Sequence, residues 1–314
     1  MIVVFTGGTG GTKLVQGLQQ IVPAEELSVV VNTGDDLEWW GLHVSPDIDS
    51  VLYGLSGLLS RDRGWGVDDD SFRCLEQMQQ LGQPAWFSPG DLDLATHLTR
   101  TMLLREGKSL TEATAALAAK LGIRARVLPM SDDRVSTMLD TAVGTLTFQE
   151  YFVRERHQVE VSAVRFEGAA QARPAPGLVE SIMKAEAIIF APSNPVTSIG
   201  PILAVPGIRE ALRSTPAPIA AVSPIVGGEA VSGPAAALMR MQGWPSTFAG
   251  VAEAYGDFLD VLVADRADSA DVRHRKPGEV EVLCTNTIMA SMDDKRALAQ
   301  FTLDACTAKE KAKV

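Results

Sequence analysis

A glycine-rich turn near the start of the chain is the feature that most constrains the fold. The β-branched and aromatic run from Ile2 to Phe5 leads directly into glycines at positions 7, 8, 10 and 11. Apolar residues then recur at helical spacing from Leu14 to Ile21, and a second apolar run extends from Leu27 to Val31. A strand, a glycine loop, a helix and a strand within about 30 residues predict a βαβ unit with parallel strands.

The same alternation returns in the second half of the 314-residue chain. Apolar runs predict further strands at 185–191, 218–222, 258–264 and 280–284, and residues 234–241 show helical spacing. Strands that alternate with helices predict an α/β fold with a Rossmann-like, doubly wound parallel sheet.

The middle of the chain has a different pattern. Residues 68–120 are mostly helical in character, and residues 124–166 contain short segments that alternate as antiparallel strands do. We therefore predict a single Rossmann-like domain over residues 1–314, with an inserted, mostly helical region at about 68–170.

The charge balance narrows the range of partners. The chain has 39 acidic and 28 basic residues and a net charge of −11. Such a surface repels nucleic acid and anionic membranes. No apolar run is long enough to span a membrane, and the three cysteines form no C-x-x-C pair. We expect a cytoplasmic protein that binds neither nucleic acid nor membranes.

The glycine loop suits an anion. Because Gly7, Gly8, Gly10 and Gly11 lack Cβ atoms, backbone N–H groups can approach a phosphate, and the dipole of the next helix favours negative charge. The loop does not match the dinucleotide fingerprint, because Lys13 occupies its last glycine position. It does not match the P-loop, because Thr12 instead of glycine directly precedes Lys13. Two interpretations remain: a generic phosphate loop assisted by Lys13, or a tight turn needed only for packing.

Two later loops have a similar character. Residues 192–200 follow a predicted strand and precede a helix, and residues 223–233 contain adjacent glycines. The first loop offers hydroxyl and amide groups from Ser193, Asn194, Thr197 and Ser198. Its alternative role is an ordinary helix N-cap fixed by prolines. Because the carboxyl ends of parallel strands meet at one edge of a sheet, the three loops predict one ligand crevice.

Four aspartates follow the second predicted strand closely: Asp35, Asp36, Asp47 and Asp49. Carboxylates beside a phosphate loop are ligands that Mg²⁺ prefers, but the ion usually takes only one or two, so not all four can bind it. Aspartates are also common in turns and caps. The last two share a face if the chain is extended there and diverge if it is helical. Two adjacent tryptophans, at 39 and 40, are candidates to stack on a flat ligand.

Short motifs follow one another from the glycine loop to about residue 265. They include Gly7-Gly8-Thr9-Gly10-Gly11-Thr12-Lys13-Leu14, Asn32-Thr33-Gly34-Asp35-Asp36, Ser45-Pro46-Asp47-Ile48-Asp49, Asp62-Arg63-Gly64-Trp65-Gly66, Gly90-Asp91-Leu92-Asp93-Leu94-Ala95-Thr96-His97, Ser131-Asp132-Asp133-Arg134 and Ala191-Pro192-Ser193-Asn194-Pro195. Each motif alone is weak, but the ordered set is specific. It resembles the 2-phospho-L-lactate transferase family.

The resemblance implies a Mg²⁺-dependent phosphotransferase of coenzyme F(420) biosynthesis, with a Rossmann-like fold and an inserted helical region. Members of the family transfer a phospholactyl or phosphoenolpyruvyl group from a guanosine diphosphate conjugate to the ribityl hydroxyl of the deazaflavin Fo, and GMP leaves. The family also implies a homodimer. The sequence leaves open whether the donor is lactyl or enolpyruvyl.

The matching motifs indicate which residues of this chain correspond to the site residues of the family. The resemblance assigns Asp35 and Asp49 to Mg²⁺ and to catalysis. It gives the substrate-binding residues as Gly7, Gly8, Thr9, Gly10, Gly11, Lys13, Asn32, Asp36, Asp47, Ser88, Asp91, Ser193, Asn194, Thr197, Ser198 and Gly200. Asp49 and the segment 88–91 would face Fo. Many relatives have arginine where this chain has Leu92, so one charge contact expected near Fo or the phosphates is missing.

A non-catalytic regulator that binds nucleotide sugars, of the gluconeogenesis-factor (YvcK-like) type, is the main alternative. Such proteins share the glycine loop and a related Asp-Asp stretch. The loop after the aspartates favours the transferase, because residues 37–41 read Leu-Glu-Trp-Trp-Gly instead of a glycine- and serine-rich sequence. A nicotinamide dehydrogenase is disfavoured by Lys13 in the fingerprint position.

Overall fold

The structure of the chain, a computed structural model, describes residues 1–272 and 280–313. Its strands are β1 (Ile2–Thr6), β2 (Leu27–Val31), β3 (Leu37–Trp39), β4 (Leu42–Val44), β5 (Arg126–Pro129), β6 (Ser136–Thr141), β7 (Gly144–Thr147), β8 (Val161–Glu167), β9 (Ala187–Phe190), β10 (Ile219–Val222), β11 (Ile225–Val226), β12 (Glu229–Ala230), β13 (Val261–Asp265) and β14 (Glu281–Thr285). Its α-helices are α1 (Thr9–Gln19), α2 (Pro46–Ser56), α3 (Arg73–Gln80), α4 (Asp91–Arg105), α5 (Leu110–Lys120), α6 (Leu178–Met183), α7 (Ile199–Ala204), α8 (Ile208–Ser214), α9 (Ala235–Met241), α10 (Phe248–Tyr255), α11 (Ser269–Val272) and α12 (Met292–Lys313).

A parallel sheet of seven strands, ordered β14-β13-β10-β9-β1-β2-β5, lies at the centre of the described residues. On one side of β1 the chain adds β2 and then β5. It then returns to the other side of β1, where it adds β9, β10, β13 and β14 in order. This reversal is the switch point of a doubly wound sheet, where ligands bind beyond the carboxyl ends of the strands. The predicted α/β fold is confirmed.

β1 is buried on both faces, and its side chains alternate between two apolar cores. Val3 and Phe5 pack into a core that includes residues of α6 to α10. Ile2 and Val4 pack into a second core with residues of α1, α2, α5 and α12. A strand covered by helices on both faces requires the continuous apolar run that the sequence shows.

The segment 68–170 supplies one strand of the central sheet, β5, and several elements outside that sheet. It contains α3, α4 and α5, and β6 pairs with β7 and β8 in an antiparallel sheet. The prediction of antiparallel strands at 124–166 was wrong for β5, which pairs parallel with β2 at the edge of the central sheet. Burial explains this pairing, because Val127, Leu128 and Pro129 are all buried there. Among the described residues, no helix combines the length and the apolar character that crossing a membrane requires.

Candidate active site

The loops that follow β1, β9 and β10 line one cavity of about 730 Å³ at the carboxyl edge of the sheet. We name it the switch-point cavity. Its wall includes Gly8, Thr9, Gly10, Lys13, Ser193, Asn194, Thr197, Ser198, Ser223 and Gly233, and residues 287–290 also contribute. The three loops therefore share one crevice, as the strand order predicts.

The glycine loop approaches both a neighbouring loop and a carboxylate. The Gly7 N–H donates to Ser193 Oγ at 3.1 Å, which joins the β1 loop to the β9 loop. A Cβ atom at Gly8 would collide with Asp47 Oδ1. Gly7, Gly11 and Gly200 do not line the cavity, and each packs closely against a side chain. The loop therefore combines the two roles that the sequence left open, an exposed backbone and close packing.

Helix α2 separates Asp47 from Asp49. It begins at Pro46, where the fixed φ of proline suits a first turn, and it ends before Gly57 in a left-handed conformation. Because helical residues two apart differ by about 200° around the axis, the two side chains diverge. The Asp47 side chain contacts Asn32 and the glycine loop, whereas the Asp49 side chain contacts Arg100 of α4.

Asn32, directly after β2, connects the two carboxylates nearest the switch-point cavity. Its Nδ2 donates to Asp35 Oδ2 at 3.0 Å and to Asp47 Oδ2 at 2.9 Å. Its Oδ1 accepts from the Gly34 N–H at 2.8 Å, which fixes the amide orientation. Asp35 and Asp47 therefore lie close together at the cavity wall, and both line it.

Burial and mutual repulsion disfavour the ionised forms of this pair. Burial raises the pKa of Asp47 to about 7. Burial, followed by the charge of Asp47, raises the pKa of Asp35 well above its usual range. The Thr137 hydroxyl lies near enough to Asp35 to lower its pKa in part, but Asp35 Oδ1 is buried and has no well-aligned hydrogen bond within the described part of the chain. An unpaired oxygen beside a second carboxylate is the arrangement that a bound cation stabilises.

Asp36 points away from this pair. Its Oδ2 accepts from Ser45 Oγ at 2.7 Å and lies 3.0 Å from His43 Nε2. It lines a separate cavity of about 500 Å³ beside the β3–β4 hairpin. The structure therefore places Asp36 apart from the switch-point cavity, although the sequence grouped all four aspartates.

Asp49 binds a fully buried arginine. Both guanidinium Nη atoms of Arg100, on α4, contact the Asp49 carboxylate, and Nη1 lies 3.2 Å from Oδ2. Arg100 is 0% exposed. A bidentate pair of this kind neutralises the carboxylate and uses one lone pair of each oxygen. Asp49 nevertheless lies with Asp93 and His97 in a buried group whose ligand atoms are all within 4.8 Å of one another.

His97 extends this buried network. Its Nδ1 lies 3.4 Å from Asp49 Oδ2 and its Nε2 lies 3.2 Å from Asp93 Oδ2, while the Tyr53 hydroxyl donates to Asp93 Oδ1 at 2.6 Å. Sequence reasoning gave no role to Asp93, His97 or Arg100. The available signal was their spacing, since positions 93, 97 and 100 share one face of a helix.

A second cavity, of about 370 Å³, lies between α2, α4 and residues 148–153. We name it the aromatic cavity, after Trp65, Phe87, Phe148 and Phe152 in its wall. Ser88, Asp49, Asp93 and His97 also line it. Thr9, Asp47, Trp65, Phe148 and Phe152 line both this cavity and the switch-point cavity, so the two meet. Of these aromatic residues only Trp65 lies in one of the motifs of the sequence analysis, and no pattern in the sequence brought the four together.

Several predicted residues lie outside both cavities. Asp91 accepts from Ser71 Oγ and from the N–H groups of Arg73 and Cys74, so it caps the start of α3. Leu92 is 54% exposed, so its replacement of the family arginine alters neither wall. Trp39 packs against Trp86 and Phe87, and neither Trp39 nor Trp40 lines the switch-point cavity or the aromatic cavity, so the suggestion that they stack on a ligand finds no support there.

A doubly wound sheet with polar loops at its switch point is the architecture of nucleotide-binding α/β proteins. The family model described as "2-phospho-L-lactate transferase CofD" matches residues 2–300. The 2-phospho-L-lactate transferase of Methanosarcina mazei is 43% identical over 304 residues, which cover 97% of this chain and 100% of that protein. The phosphoenolpyruvate transferase of Streptomyces griseus is 42% identical over 309 residues, which cover 96% and 97%. The chain belongs to the 2-phospho-L-lactate transferase family.

A solved structure supports the fold independently. A crystal structure of a UPF0052 family protein from Bacillus halodurans superimposes with a TM-score of 0.64 and covers 96% of this chain and 99% of that chain. Its sequence identity is 19%, so the similarity concerns the fold alone.

Proposed function

We infer that this chain transfers a phospholactyl or phosphoenolpyruvyl group from a guanosine diphosphate conjugate to the ribityl hydroxyl of Fo, with release of GMP, in coenzyme F(420) biosynthesis. One observation carries the proposal beyond family membership: two chemically different cavities meet at Asp47. A transfer between two substrates needs such a meeting point, because donor and acceptor must touch at the reacting atoms. Relatives with both transferase names are about equally similar, so the proposal includes both donors.

The switch-point cavity suits the guanosine diphosphate conjugate. It joins the glycine loop at the start of α1 to the polar loop after β9, and such sites offer free N–H groups to phosphates. Lys13 lines the cavity. Burial and the nearby charges of Lys13 and Arg61 lower the pKa of Lys295, so three cations lie close together in an otherwise acidic chain. This local positive charge favours an anionic donor.

The aromatic cavity suits Fo. Its aromatic side chains offer faces and edges to a flat tricyclic ring. Ser88, Gln149 and Asp93 add hydrogen-bonding groups for the polar edges of that ring. The ribityl chain would then extend toward Asp47, where the second cavity begins.

The residues present suit Mg²⁺. We propose that Asp35 and Asp47 hold the ion, because Asn32 brings them together and the buried Asp35 Oδ1 has no well-aligned hydrogen bond from any described residue. This revises the expected pair of Asp35 and Asp49, since Arg100 already neutralises Asp49. When bound, Mg²⁺ would offset the negative charge of the diphosphate during transfer.

The protein's own residues then supply positioning more than covalent chemistry. Asp47 lines both cavities, so it can accept a hydrogen bond from the attacking hydroxyl and take its proton. N–H groups of the glycine loop stabilise charge on the departing phosphate. The acceptor oxygen attacks the phosphorus of the transferred group, the bond to the GMP phosphate breaks, and no covalent enzyme intermediate forms. Trapping a phosphorylated protein during turnover would contradict this direct path.

The test is a product assay. The purified protein is mixed with Mg²⁺, Fo and either the lactyl or the enolpyruvyl guanosine diphosphate conjugate, and products are identified by mass. We expect equal amounts of GMP and phosphorylated Fo product with at least one donor, and loss of product when EDTA replaces Mg²⁺. No product with either donor would refute the assignment.

We also propose a homodimer, which light scattering of the purified protein tests.

A further inference from the structure

Trp65 occupies an unusual position for a large apolar side chain. It lines both the switch-point cavity and the aromatic cavity, yet 43% of its surface is exposed. Phe148 and Phe152 also line both cavities, and Phe152 is 38% exposed, but these two rings stack on each other with centroids 5.4 Å apart and form a wall. Trp65 instead belongs to a loop, residues 59–67, that follows α2.

This loop is fixed at its base and has a tight tip. An antiparallel bridge joins Leu59 to Val67, and the Ser60 N–H donates to the Gly66 carbonyl at 3.0 Å. Trp65 stands between two glycines with positive φ, +72° at Gly64 and +68° at Gly66. Such angles are unfavourable for other residues. The two glycines therefore fix the backbone on either side of Trp65.

The loop also contacts the donor side of the site. A Cβ atom at Gly64 would lie 3.4 Å from Thr9 Cγ2, so the tip lies against the glycine loop. The Arg63 guanidinium carbon lies 5.5 Å from the Trp65 ring centroid and 5.3 Å from that of Phe72. Arg63 Nη2 donates to the Val67 carbonyl at 2.5 Å. The ring is thus supported from its own loop, and its exposed part is available to a substrate.

The proposed reaction requires that water be excluded where the two cavities meet. A carboxylate that orients an alcohol orients a water molecule equally well, and Asp47 lies where the two cavities meet. Attack by water on the same phosphorus would break the same bond and give GMP with free phospholactate or phosphoenolpyruvate. Enzymes that transfer groups to an acceptor other than water exclude water from the reacting centre.

We propose that Trp65 covers the reacting phosphorus at the junction of the two cavities and so selects the acceptor hydroxyl over water. The proposal rests on the proposed function. It gives a specific role to the Asp62–Gly66 motif: the glycines hold an aromatic ring above the junction, and Arg63 supports that ring.

The experiment measures how product divides between transfer and hydrolysis. GMP and phosphorylated Fo are quantified for the wild type, Trp65→Ala, Trp65→Phe and Leu81→Ala, with Mg²⁺, Fo and each donor. Leu81 is 66% exposed and lies outside both cavities, so it controls for loss of an exposed apolar side chain. Trp65→Ala should raise the ratio of hydrolysis to transfer about 10-fold over wild type, the effect of losing a stacking contact of about 1.4 kcal/mol, so that GMP exceeds phosphorylated Fo. Trp65→Phe should fall between wild type and Trp65→Ala, and Leu81→Ala should release equal amounts.

The outcomes separate the two proposals. If the wild type forms no phosphorylated Fo with either donor, the proposed function fails and this inference fails with it. If the wild type transfers normally and Trp65→Ala still releases equal amounts, the inference alone is wrong, whatever the rate of the variant. Should Trp65→Ala fail to fold by circular dichroism, Trp65→Leu carries the same test with a side chain closer in volume.

Discussion

The two cavities that meet at Asp47 are built in different ways. Backbone loops beyond the strands form much of the switch-point cavity, with small polar side chains and Lys13. Large side chains from the loops before α4 and after α2 and β7, together with polar residues of α2 and α4, form the aromatic cavity, and a buried ionic network lies behind them. Backbone N–H groups suit phosphates, which all donors of this class share, whereas aromatic side chains suit one flat ring. We therefore expect changes in the two regions to act on different substrates.

The largest effect is expected where the cavities meet. Asp47→Asn removes a charge from the proposed Mg²⁺ pair and a proton acceptor, so kcat should fall by at least about 1,000-fold. Steady-state product formation measures this. Asp36→Asn is the matched control, because this neighbouring carboxylate lines a different cavity and acts on Asp35 and Asp47 only through its charge, so its kcat should fall far less. Equal losses in the two variants would contradict the placement of the site.

The buried network behind the aromatic cavity should govern stability. Arg100→Met leaves the Asp49 carboxylate buried without its partner, so the free energy of unfolding should fall by about 3 kcal/mol. Urea denaturation measures the change. The double variant Arg100→Met/Asp49→Asn should recover part of the loss, because no unpaired charge remains. An unchanged free energy in Arg100→Met would show that the pair does not form.

Paired substitutions test whether each cavity serves its own substrate. Lys13→Ala should raise KM for the guanosine diphosphate donor by about 10-fold and leave KM for Fo unchanged, because it removes one charge-assisted contact. Phe87→Leu should do the reverse by a similar factor, because it removes an aromatic contact while keeping an apolar side chain. Initial rates with each substrate varied in turn give the values. A change in both KM values for either variant would argue against separate cavities.

The smallest effect is expected at Asp91, and it tests whether this residue caps helix α3 or binds Fo. Asp91 was expected to face Fo, but it caps α3 outside both cavities. Asp91→Ala should therefore lower the free energy of unfolding by about 1 kcal/mol, as the loss of a helix cap does. KM for Fo should be unchanged. An increase in KM for Fo without a loss of stability would restore Asp91 to the site.

Local patterns predicted one region of the molecule better than the other. Contiguous residues determine the β1–glycine loop–α1 unit, and the apolar run at 27–31 coincides with β2. The divergence of Asp47 and Asp49 stayed open until α2 was known to be helical. Arg100 and Asp49 are 51 positions apart, and only the packing of α4 against α2 brings them together. Residues that meet through tertiary packing leave no contiguous pattern, so the aromatic wall was not predicted, although the resemblance expected Asp49 and Ser88, which line this cavity, to face Fo.

Equilibrium binding tests the central claim, that donor and acceptor occupy separate, adjoining cavities. Fo is titrated with the protein in Mg²⁺, with and without saturating GDP, and its fluorescence is recorded. Two separate cavities predict that Fo still binds and saturates in the presence of GDP. Displacement of Fo by GDP, with mutual exclusion at equilibrium, would contradict the account.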